Sequence, residues 1–368
     1  MPILIPAAAL LLAACQTTTT APADPRAVHD RALTLDTHLD TPAQMDDPAW
    51  SIRDRHSYSA DGSQIDLPRM AEGGLDGGFW VIYTPSGPTT PAGYAAARAH
   101  AERRLANIQR MVRDNPDSFA FATTAADAAR IVAAGKRVVY ISIENSLPLG
   151  EDLSQLSRWY DAGVRMAGPV HSADNQLADS TTGQGRWGGL SPLGRQWVAE
   201  MNRLGMIVDG SHSSDAAFDQ MLALSTTPII LSHSGPKAIY DHPRNIDDAR
   251  IRALAAKGGV IQANALFLSD WSIGQTRRPE AERTGTPADF ELFMRSLLHL
   301  IEVAGVDHVG IGCDWDGGGG VLGMEDVAAL PKITERLLAA GYTPADVEKI
   351  WSGNVLRLLA QAEAARGR

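Results

Sequence analysis

Eight short apolar runs recur along the chain from residue 26 onward, and segments with helical periodicity separate them. Strand-like runs that alternate with helices are typical of a parallel α/β architecture. The runs are Ala32–Leu35, Gly78–Tyr83, Arg137–Ile143, Val164–Val170, Met206–Asp209, Pro228–Leu231, Gly259–Ala263 and His308–Gly312. Because no linker or internal repeat divides residues 26–368, the pattern predicts a single α/β domain over this range.

A polar side chain stands at or just beyond the C-terminal end of each run. These residues are His38, Tyr83, Glu144, His171, His212, His233, Asn264 and Asp314. A (β/α)8 barrel assembles its active site at this end of its strands, whereas an open doubly wound sheet concentrates polar residues near one switch point. We therefore predict a TIM-type (β/α)8 barrel.

Composition limits the classes of partner. With 368 residues, 44% of them hydrophobic and 21% charged, the chain is expected to be globular with a sizeable core. A net charge of -10 argues against nucleic acid and anionic lipid as partners. Of the two cysteines, only Cys313 lies within the predicted domain, so no disulfide framework is expected there. We interpret Cys313 as a small buried hydrophobic residue.

The N-terminus has the features of a targeting segment. Residues 2–14 are apolar and uncharged, and they end at Cys15 in a pattern that resembles a bacterial lipobox. The sequence predicts a lipoprotein signal peptide over residues 1–15, lipidation of Cys15 and a flexible tether over residues 16–25. Gln16 resembles a signal for sorting to the outer membrane, so we expect an exported protein on its periplasmic face, in contact with the membrane only through the lipid. No Lys or Arg precedes the apolar run, and an ordinary cleaved signal peptide or an apolar tail is the alternative.

Five residues at the predicted strand ends suit a metal centre. His38 and Asp40 are two apart, so in an extended segment they point to the same side, and their ligand atoms suit zinc. The fifth and sixth runs both lead into Ser-His, at His212 and His233. Glu144 ends the third run, where a carboxylate is costly to bury unless it is paired or binds metal.

A carboxylate can bridge two ions, as two-metal hydrolases require. We expect His38, Asp40 and Glu144 to bind one zinc ion, and Glu144, His212 and His233 to bind the other, with a hydroxide between the ions. Ion pairs that stabilise the barrel rim are the alternative interpretation.

Nine segments resemble, in order, the membrane dipeptidase (renal dipeptidase) family, peptidase family M19. They are DTHLD, DLPRMAEGGLDGGFWVIYTP, SIEN, GVRMAGPVH, DGSH, LSHS, PRNIDD, HVGIGCDWDG and GNVLRLL. The resemblance runs from about Asp36 to Arg357. It implies the barrel of a metal-dependent hydrolase, two zinc ions per chain and hydrolysis of dipeptides, including those with a C-terminal D-residue. Carbapenem-like lactams are an implied further class of substrate.

The resemblance also implies roles for three residues outside the metal ligands. His171 would contact the substrate and steady the tetrahedral intermediate. Arg244 would grip the C-terminal carboxylate of a dipeptide, which a guanidinium fork fits well. Asp314 would handle protons at the hydroxide and the leaving amine. Asp316 is a rival for that role, although capping of the turn at 317–320 is the preferred interpretation of this residue.

Two other functions stay open at this point. One is a barrel amidohydrolase or phosphoesterase that acts on another amide or ester, although Glu144 stands where many amidohydrolases use a modified lysine. The other is a non-catalytic binding lipoprotein. A suitable residue stands at every predicted ligand position, which argues against this alternative. The loops over residues 85–125 and 266–287 look individual to this chain. A homo-oligomer is possible, but the cysteines of a disulfide-linked dimer are missing.

Overall fold

The computed structural model describes residues 24–367. These residues form a mixed α/β structure in which every strand pairing is parallel. The strands are β1 Leu35–Leu39, β2 Gly77–Tyr83, β3 Phe119–Phe121, β4 Arg137–Glu144, β5 Val164–Ala167, β6 Ile207–Val208, β7 Ile230–Ser234, β8 Val260–Ala263 and β9 Val309–Ile311.

Two sheets together make the barrel. One has the strand order β1-β2-β4-β5-β6 and the other the order β7-β8-β9. Isolated parallel bridges join them: Asp209 with Ile230 links the end of β6 to β7, and Leu39 with Trp315 links β1 to the segment after β9. Eight strands thus follow one another around the barrel, which confirms the predicted (β/α)8 architecture.

Helices separate the strands and cover the outside of the barrel. They are α1 Pro25–Arg31, α2 Tyr58–Asp61, α3 Leu67–Glu72, α4 Pro91–Asp114, α5 Ala125–Ala133, α6 Gln155–Asp161, α7 Pro192–Leu204, α8 Asp215–Leu224, α9 Asp248–Ala256, α10 Phe290–Ala304, α11 Pro331–Ala339, α12 Pro344–Glu348 and α13 Asn354–Ala365. Local sequence sets several of their ends. In α7, Ser191 caps the backbone N–H of Gly194, and Gly205 ends the helix in the left-handed conformation.

The first strand differs from its prediction. The run Ala32–Leu35 was expected, but β1 is Leu35–Leu39 and includes the polar residues Asp36, Thr37 and His38. Asp36 and Thr37 fit inside the barrel because their polar atoms have partners there. Asp36 accepts the backbone N–H groups of His38 and Cys313, and Thr37 donates to the carbonyl of Ser232. Hydrophobicity alone therefore placed this strand three residues too early.

Two other runs differ from their strands by more than one residue at an end. The sixth run, predicted as Pro228–Leu231, is Ile230–Ser234 and contains His233. The fourth run ends at Ala167 rather than Val170, since Gly168 and Pro169 follow and proline has no N–H for the ladder. The short strand β3 was not predicted, and it pairs only with the beginning of β4.

The core lies between the barrel and its helices and also fills the barrel. Its largest fully buried side chains include Trp80, Trp197, Trp315 and Trp351. Cys313 is fully buried, in agreement with its interpretation as a small core residue. In residues 24–367, no helix is both long enough and apolar enough to cross a membrane. The predicted signal peptide and Cys15 fall outside the described residues.

Candidate active site

Two residues at the end of the first strand lie at the C-terminal opening of the barrel, which we call the mouth. His38 is 2% exposed and Asp40 8% exposed, and His38 Nε2 lies 3.3 Å from Asp40 Oδ2. His38 Nε2 and Asp40 Oδ1 are fully buried, yet neither has a hydrogen-bond partner within residues 24–367. Buried polar atoms normally have partners, so this pair of atoms calls for a ligand from outside the chain.

Glu144 stands at the end of β4 with its two oxygens facing different groups. Its Oε2 lies 3.6 Å from His38 Nε2, on the side of Asp40. Its Oε1 lies 2.8 Å from His212 Nε2 and 3.6 Å from His233 Nε2. Because each oxygen belongs to a separate set of neighbours, this carboxylate has the geometry of a bridge between two sites.

A hydrogen-bond chain orients His233. Ser232 Oγ donates to the carboxylate of Asp209 at 2.5 Å, so the same oxygen accepts from His233 Nδ1 at 2.9 Å. Nδ1 therefore carries the ring proton, and the lone pair of Nε2 points toward Glu144 and His212. Such support behind a histidine is typical of metal ligands. Asp209 and Ser232 were not predicted, although the Ser-His pairs of both motifs were visible in the sequence.

The charges at the mouth favour cation binding. Burial lowers the pKa of His212 to about 3 and that of His233 well below its ordinary value, so both rings are neutral and able to ligate. Burial opposes ionisation of Glu144, but His38 and His212 hold the pKa of its carboxyl well below the usual range. Burial likewise opposes protonation of His38, but Asp40 and Glu144 raise its pKa well above the ordinary value. A cation bound between these side chains would take the place of that proton.

The predicted ligands converge in space. His38, Asp40 and Glu144 offer ligand atoms within 4.8 Å of one another, and so do Glu144, His212 and His233. These are the two predicted ligand sets, and they share Glu144. A third group, with His38, His233 and Asp314, overlaps both. Nitrogen and carboxylate ligands in two adjoining sets fit two divalent ions of the zinc type.

His171 lies beside the ligands and is 24% exposed by its side chain. Its Nε2 is 3.9 Å from Glu144 Oε1, and its ring centroid is 4.4 Å from that of His212. The ring of Tyr83 meets it edge-on at 5.1 Å. A side chain that borders the predicted metal ligands while staying open to solvent is placed to touch a substrate.

Asp314 and Asp316 differ in the groups that they contact. Asp314 Oδ1 lies 3.8 Å from His38 Nε2. Burial raises the pKa of Asp314 well above its ordinary value, and the carboxylates of Asp40 and Glu144 add to the effect. Asp316 instead accepts from the Thr41 hydroxyl at 2.6 Å and from the Gln64 N–H at 2.7 Å. Both oxygens of Asp316 are thus engaged in structure. Its partners are Thr41 and Gln64 rather than the predicted glycine turn, whose N–H groups at Gly317 and Gly319 bond to the Asp314 carbonyl.

Arg244 is 6% exposed and lies next to the second ligand set. Its Nη2 donates to the carbonyl of His233 at 3.2 Å, and its buried Nε has no acceptor in the described part of the chain. The ring of Phe267 lies 5.6 Å from the guanidinium carbon. The sequence offered no signal for Phe267, because its position depends on the fold of a loop. Asn264, at the end of β8, caps that loop by accepting the N–H of Leu266 at 2.9 Å.

Comparisons with known proteins point to one family. The sequence model of the membrane dipeptidase family (peptidase family M19) matches residues 23–368. The dipeptidase tcpJ of Claviceps purpurea (strain 20.1) is 33% identical over 322 residues, which cover 85% of this chain and 73% of that protein.

Solved structures agree as well. The probable dipeptidase PvdM of Pseudomonas aeruginosa has a TM-score of 0.84 at 30% identity, over 93% of this chain and 98% of that one. A metallopeptidase of Rhodobacter sphaeroides, liganded with a phosphinate mimic of the dipeptide L-Ala-D-Ala, has a TM-score of 0.76 at 28% identity, over 90% and 99%. The site is that of a hydrolase acting on dipeptides, and the chain belongs to the membrane dipeptidase family, M19.

Proposed function

We propose that this protein hydrolyses the amide bond of dipeptides, including those with a C-terminal D-residue, with two zinc ions. One ion is held by His38, Asp40 and Glu144 and the other by Glu144, His212 and His233. The observation that carries the proposal is the division of Glu144, whose two oxygens face separate groups of ligand atoms. The Rhodobacter relative with its mimic of L-Ala-D-Ala supports the class of substrate.

Zinc ions at these positions would polarise the amide carbonyl and make water nucleophilic at neutral pH. The surrounding side chains supply the remaining functions. His171, open to solvent beside Glu144, would donate to the carbonyl oxygen as negative charge develops there. Asp314 would take a proton from the attacking water and pass it to the leaving amine, since its carboxyl lies 3.8 Å from His38 Nε2 and so borders the ligand atoms.

Arg244 would bind the free carboxylate of the dipeptide. Its guanidinium is buried and close to the ligands, and its Nε has no protein acceptor among the described residues. A guanidinium binds a carboxylate through two parallel hydrogen bonds. This contact would limit substrates to two residues, because a longer peptide would place an amide where the carboxylate belongs.

A combined metal and activity measurement tests the proposal. The purified protein should contain two zinc ions per chain, lose hydrolysis of L-Ala-D-Ala on chelation and regain it with zinc. Arg244→Ala should raise KM at least tenfold for L-Ala-D-Ala and leave hydrolysis of its C-terminal amide unchanged. Equal effects on both substrates would remove the proposed role of Arg244. Ester or lactone hydrolysis without dipeptide hydrolysis would favour an amidohydrolase of other specificity, and metal binding without turnover would favour a binding protein.

We also propose export and lipid attachment at Cys15. The support is the apolar segment 2–14 that ends at this cysteine. The full chain, expressed in a bacterium with radiolabelled palmitate, should become labelled and sediment with the outer membrane, and Cys15→Ala should abolish both. A labelled Cys15→Ala variant, or an unlabelled parent protein, would contradict lipidation.

A further inference from the structure

Phe267 adopts an unusual backbone conformation beside the site. It follows β8 and has φ of 57°, in the left-handed region that bulky residues seldom occupy. Within residues 24–367, the other non-glycine residues with positive φ are Asn145, His212, Asp314 and Asp316, which are smaller or polar. A phenylalanine persists in this conformation only where its surroundings enforce it.

The segment around Arg244 provides that enforcement. Asn245 Nδ2 donates to the carbonyl of Phe267 and to that of Tyr240, both at 2.8 Å. The ring of His242 stacks on the ring of Phe267, with centroids 4.4 Å apart and planes 13° apart. Tyr240 stacks in turn on His242 at 5.8 Å. The stacked rings of Tyr240, His242 and Phe267 and the side-chain amide of Asn245 thus hold the loop after β8 against the loop after β7. We call these four residues the clamp.

Arg244 contacts two residues of this clamp, His242 and Phe267. Its backbone N–H donates to His242 Nδ1 at 3.2 Å, so that ring nitrogen must be unprotonated. Burial, followed by the charge of Arg244, lowers the pKa of His242 and keeps this acceptor available. The guanidinium contacts the His233 carbonyl through Nη2, and the face of Phe267 is 5.6 Å away. No carboxylate of the described residues lies within ion-pair distance of Arg244.

This choice of partner has a chemical consequence. A carboxylate would hold the guanidinium firmly, but it would occupy the N–H groups that a substrate carboxylate needs. An aromatic face attracts a guanidinium through its quadrupole and leaves the N–H edge free. An aromatic residue such as the strained Phe267 can therefore hold the guanidinium and also leave its N–H groups free for the substrate carboxylate.

We propose that Phe267 is a positioning residue that holds the Arg244 guanidinium ready for the C-terminal carboxylate of the substrate. The inference rests on the proposed function, in which Arg244 binds that carboxylate. The unfavourable backbone of Phe267 is retained because it places the ring against Arg244. Phe267 makes this contribution through Arg244 and takes no part in the chemistry itself.

Steady-state kinetics of the zinc-loaded protein test the proposal. Phe267→Leu should raise KM for L-Ala-D-Ala about tenfold, with kcat within about twofold, because a cation–π contact of this kind contributes about that factor. The C-terminal amide of the same dipeptide should show no change, and neither should zinc content. Phe267→Tyr keeps the ring and should behave as the parent. Phe290→Leu is the matched control, since Phe290 is also half-buried and faces a cation, Lys332, at 6.0 Å.

Phe267→Gly separates positioning from stability. Glycine adopts positive φ without strain, so this variant should be at least as heat-stable as Phe267→Leu while it keeps the full increase in KM. A KM that returned to the parent value in Phe267→Gly would show that the ring is not required, and would overturn the proposal.

A double-mutant comparison separates failure of the inference from failure of the proposed function. In an Arg244→Ala background, Phe267→Leu should add less than twofold to KM. If Arg244→Ala raises KM selectively but Phe267→Leu does not, or if the two effects multiply, only the positioning role is wrong. If Arg244→Ala itself has no selective effect on the carboxylate substrate, both the role of Arg244 and this inference are wrong.

Discussion

Two buried histidines at opposite ends of the barrel show how differently one chain treats the same side chain. His29, on α1 before β1, is fully buried, with Nδ1 2.8 Å from Thr334 Oγ1 and Nε2 2.8 Å from the Gly73 carbonyl. Trp351 Nε1 donates to the same Thr334 oxygen at 2.8 Å. The Gly73 carbonyl can only accept, so Nε2 carries the proton of the neutral ring and Nδ1 accepts from the Thr334 hydroxyl. His38, at the C-terminal mouth, has a buried Nε2 without a partner in the described residues.

The difference separates a structural polar cluster from a functional one. At the N-terminal end, both nitrogens of His29 have hydrogen-bond partners, and these bonds offset the cost of burying the ring. At the mouth, carboxylates and imidazoles crowd together with buried polar atoms that lack partners, an arrangement that bound cations would stabilise. Backbone strain has the same distribution, since within residues 24–367 all five non-glycine residues with positive φ follow the C-terminal ends of strands.

The largest expected effect comes from Glu144→Gln, which should remove function at the mouth and leave the fold intact. Loss of the bridging charge should reduce zinc below one ion per chain and lower kcat/KM for L-Ala-D-Ala by at least about a thousandfold. Metal analysis, kinetics and circular dichroism of the same preparation check this. Glu291→Gln, which breaks an exposed ion pair with Arg336, is the control and should change nothing measurable. Normal zinc with full activity would contradict the bridging role.

His29→Ala should have the opposite signature. Removing the ring leaves the Thr334 O–H without its acceptor and the Gly73 carbonyl without its donor, and it opens a cavity, at a cost of about 2–4 kcal/mol in the free energy of unfolding. Zinc content and kcat of the folded variant should stay at parental values. Urea denaturation followed by fluorescence measures the first effect. A large loss of zinc without a loss of stability would end the contrast between the two clusters.

Lowering the pH should also reduce the stability that the polar cluster around His29 contributes. Burial lowers the pKa of His29 below 6.5, so at mildly acidic pH the unfolded chain binds a proton that the folded chain does not. The contribution of His29 is complete above pH 6.5 and declines as pH falls from 6.5 toward the folded pKa. Its slope is at most about 1.4 kcal/mol per pH unit. His29→Gln should reduce the pH dependence of the unfolding free energy in this window, and an unchanged slope would rule out His29 as the group responsible.

The smallest effect is expected at Cys313, which precedes Asp314 but belongs to the core. Burial raises the pKa of its thiol well above the ordinary value, so the native protein should resist alkylation. Cys313→Ala should lower the free energy of unfolding by about 1 kcal/mol and leave kcat unchanged. Rapid labelling of the native thiol would show that the mouth is more open than the structure indicates.

Much of the site could be predicted because its residues stand at strand ends. The His-x-Asp spacing and the two Ser-His pairs are local features, and a parallel barrel brings such ends together regardless of loop detail. Residues whose role depends on partners far along the chain could not be predicted. Asp209 matters through Ser232 and His233, and Phe267 through Arg244, so neither has a local signature.

The strand β1 shows the same limit within the fold. From the sequence alone, a carboxylate such as Asp36 is unexpected in a barrel interior. The structure explains it, because Asp36 accepts the backbone N–H of Cys313, which follows β9 on the other side of the point where the barrel closes.

The sequence by itself determined the alternation of strands and helices, the caps of helices such as α7 and the residues that meet at the mouth of the barrel. These follow from periodicity, capping and parallel topology, which act over short stretches of chain. Tertiary structure alone decided which histidine is satisfied and which is left open, which oxygen of Glu144 faces which neighbours, and that a strained Phe267 lies against Arg244. Each of these depends on the distance between residues remote in sequence, and only the closed barrel sets that distance.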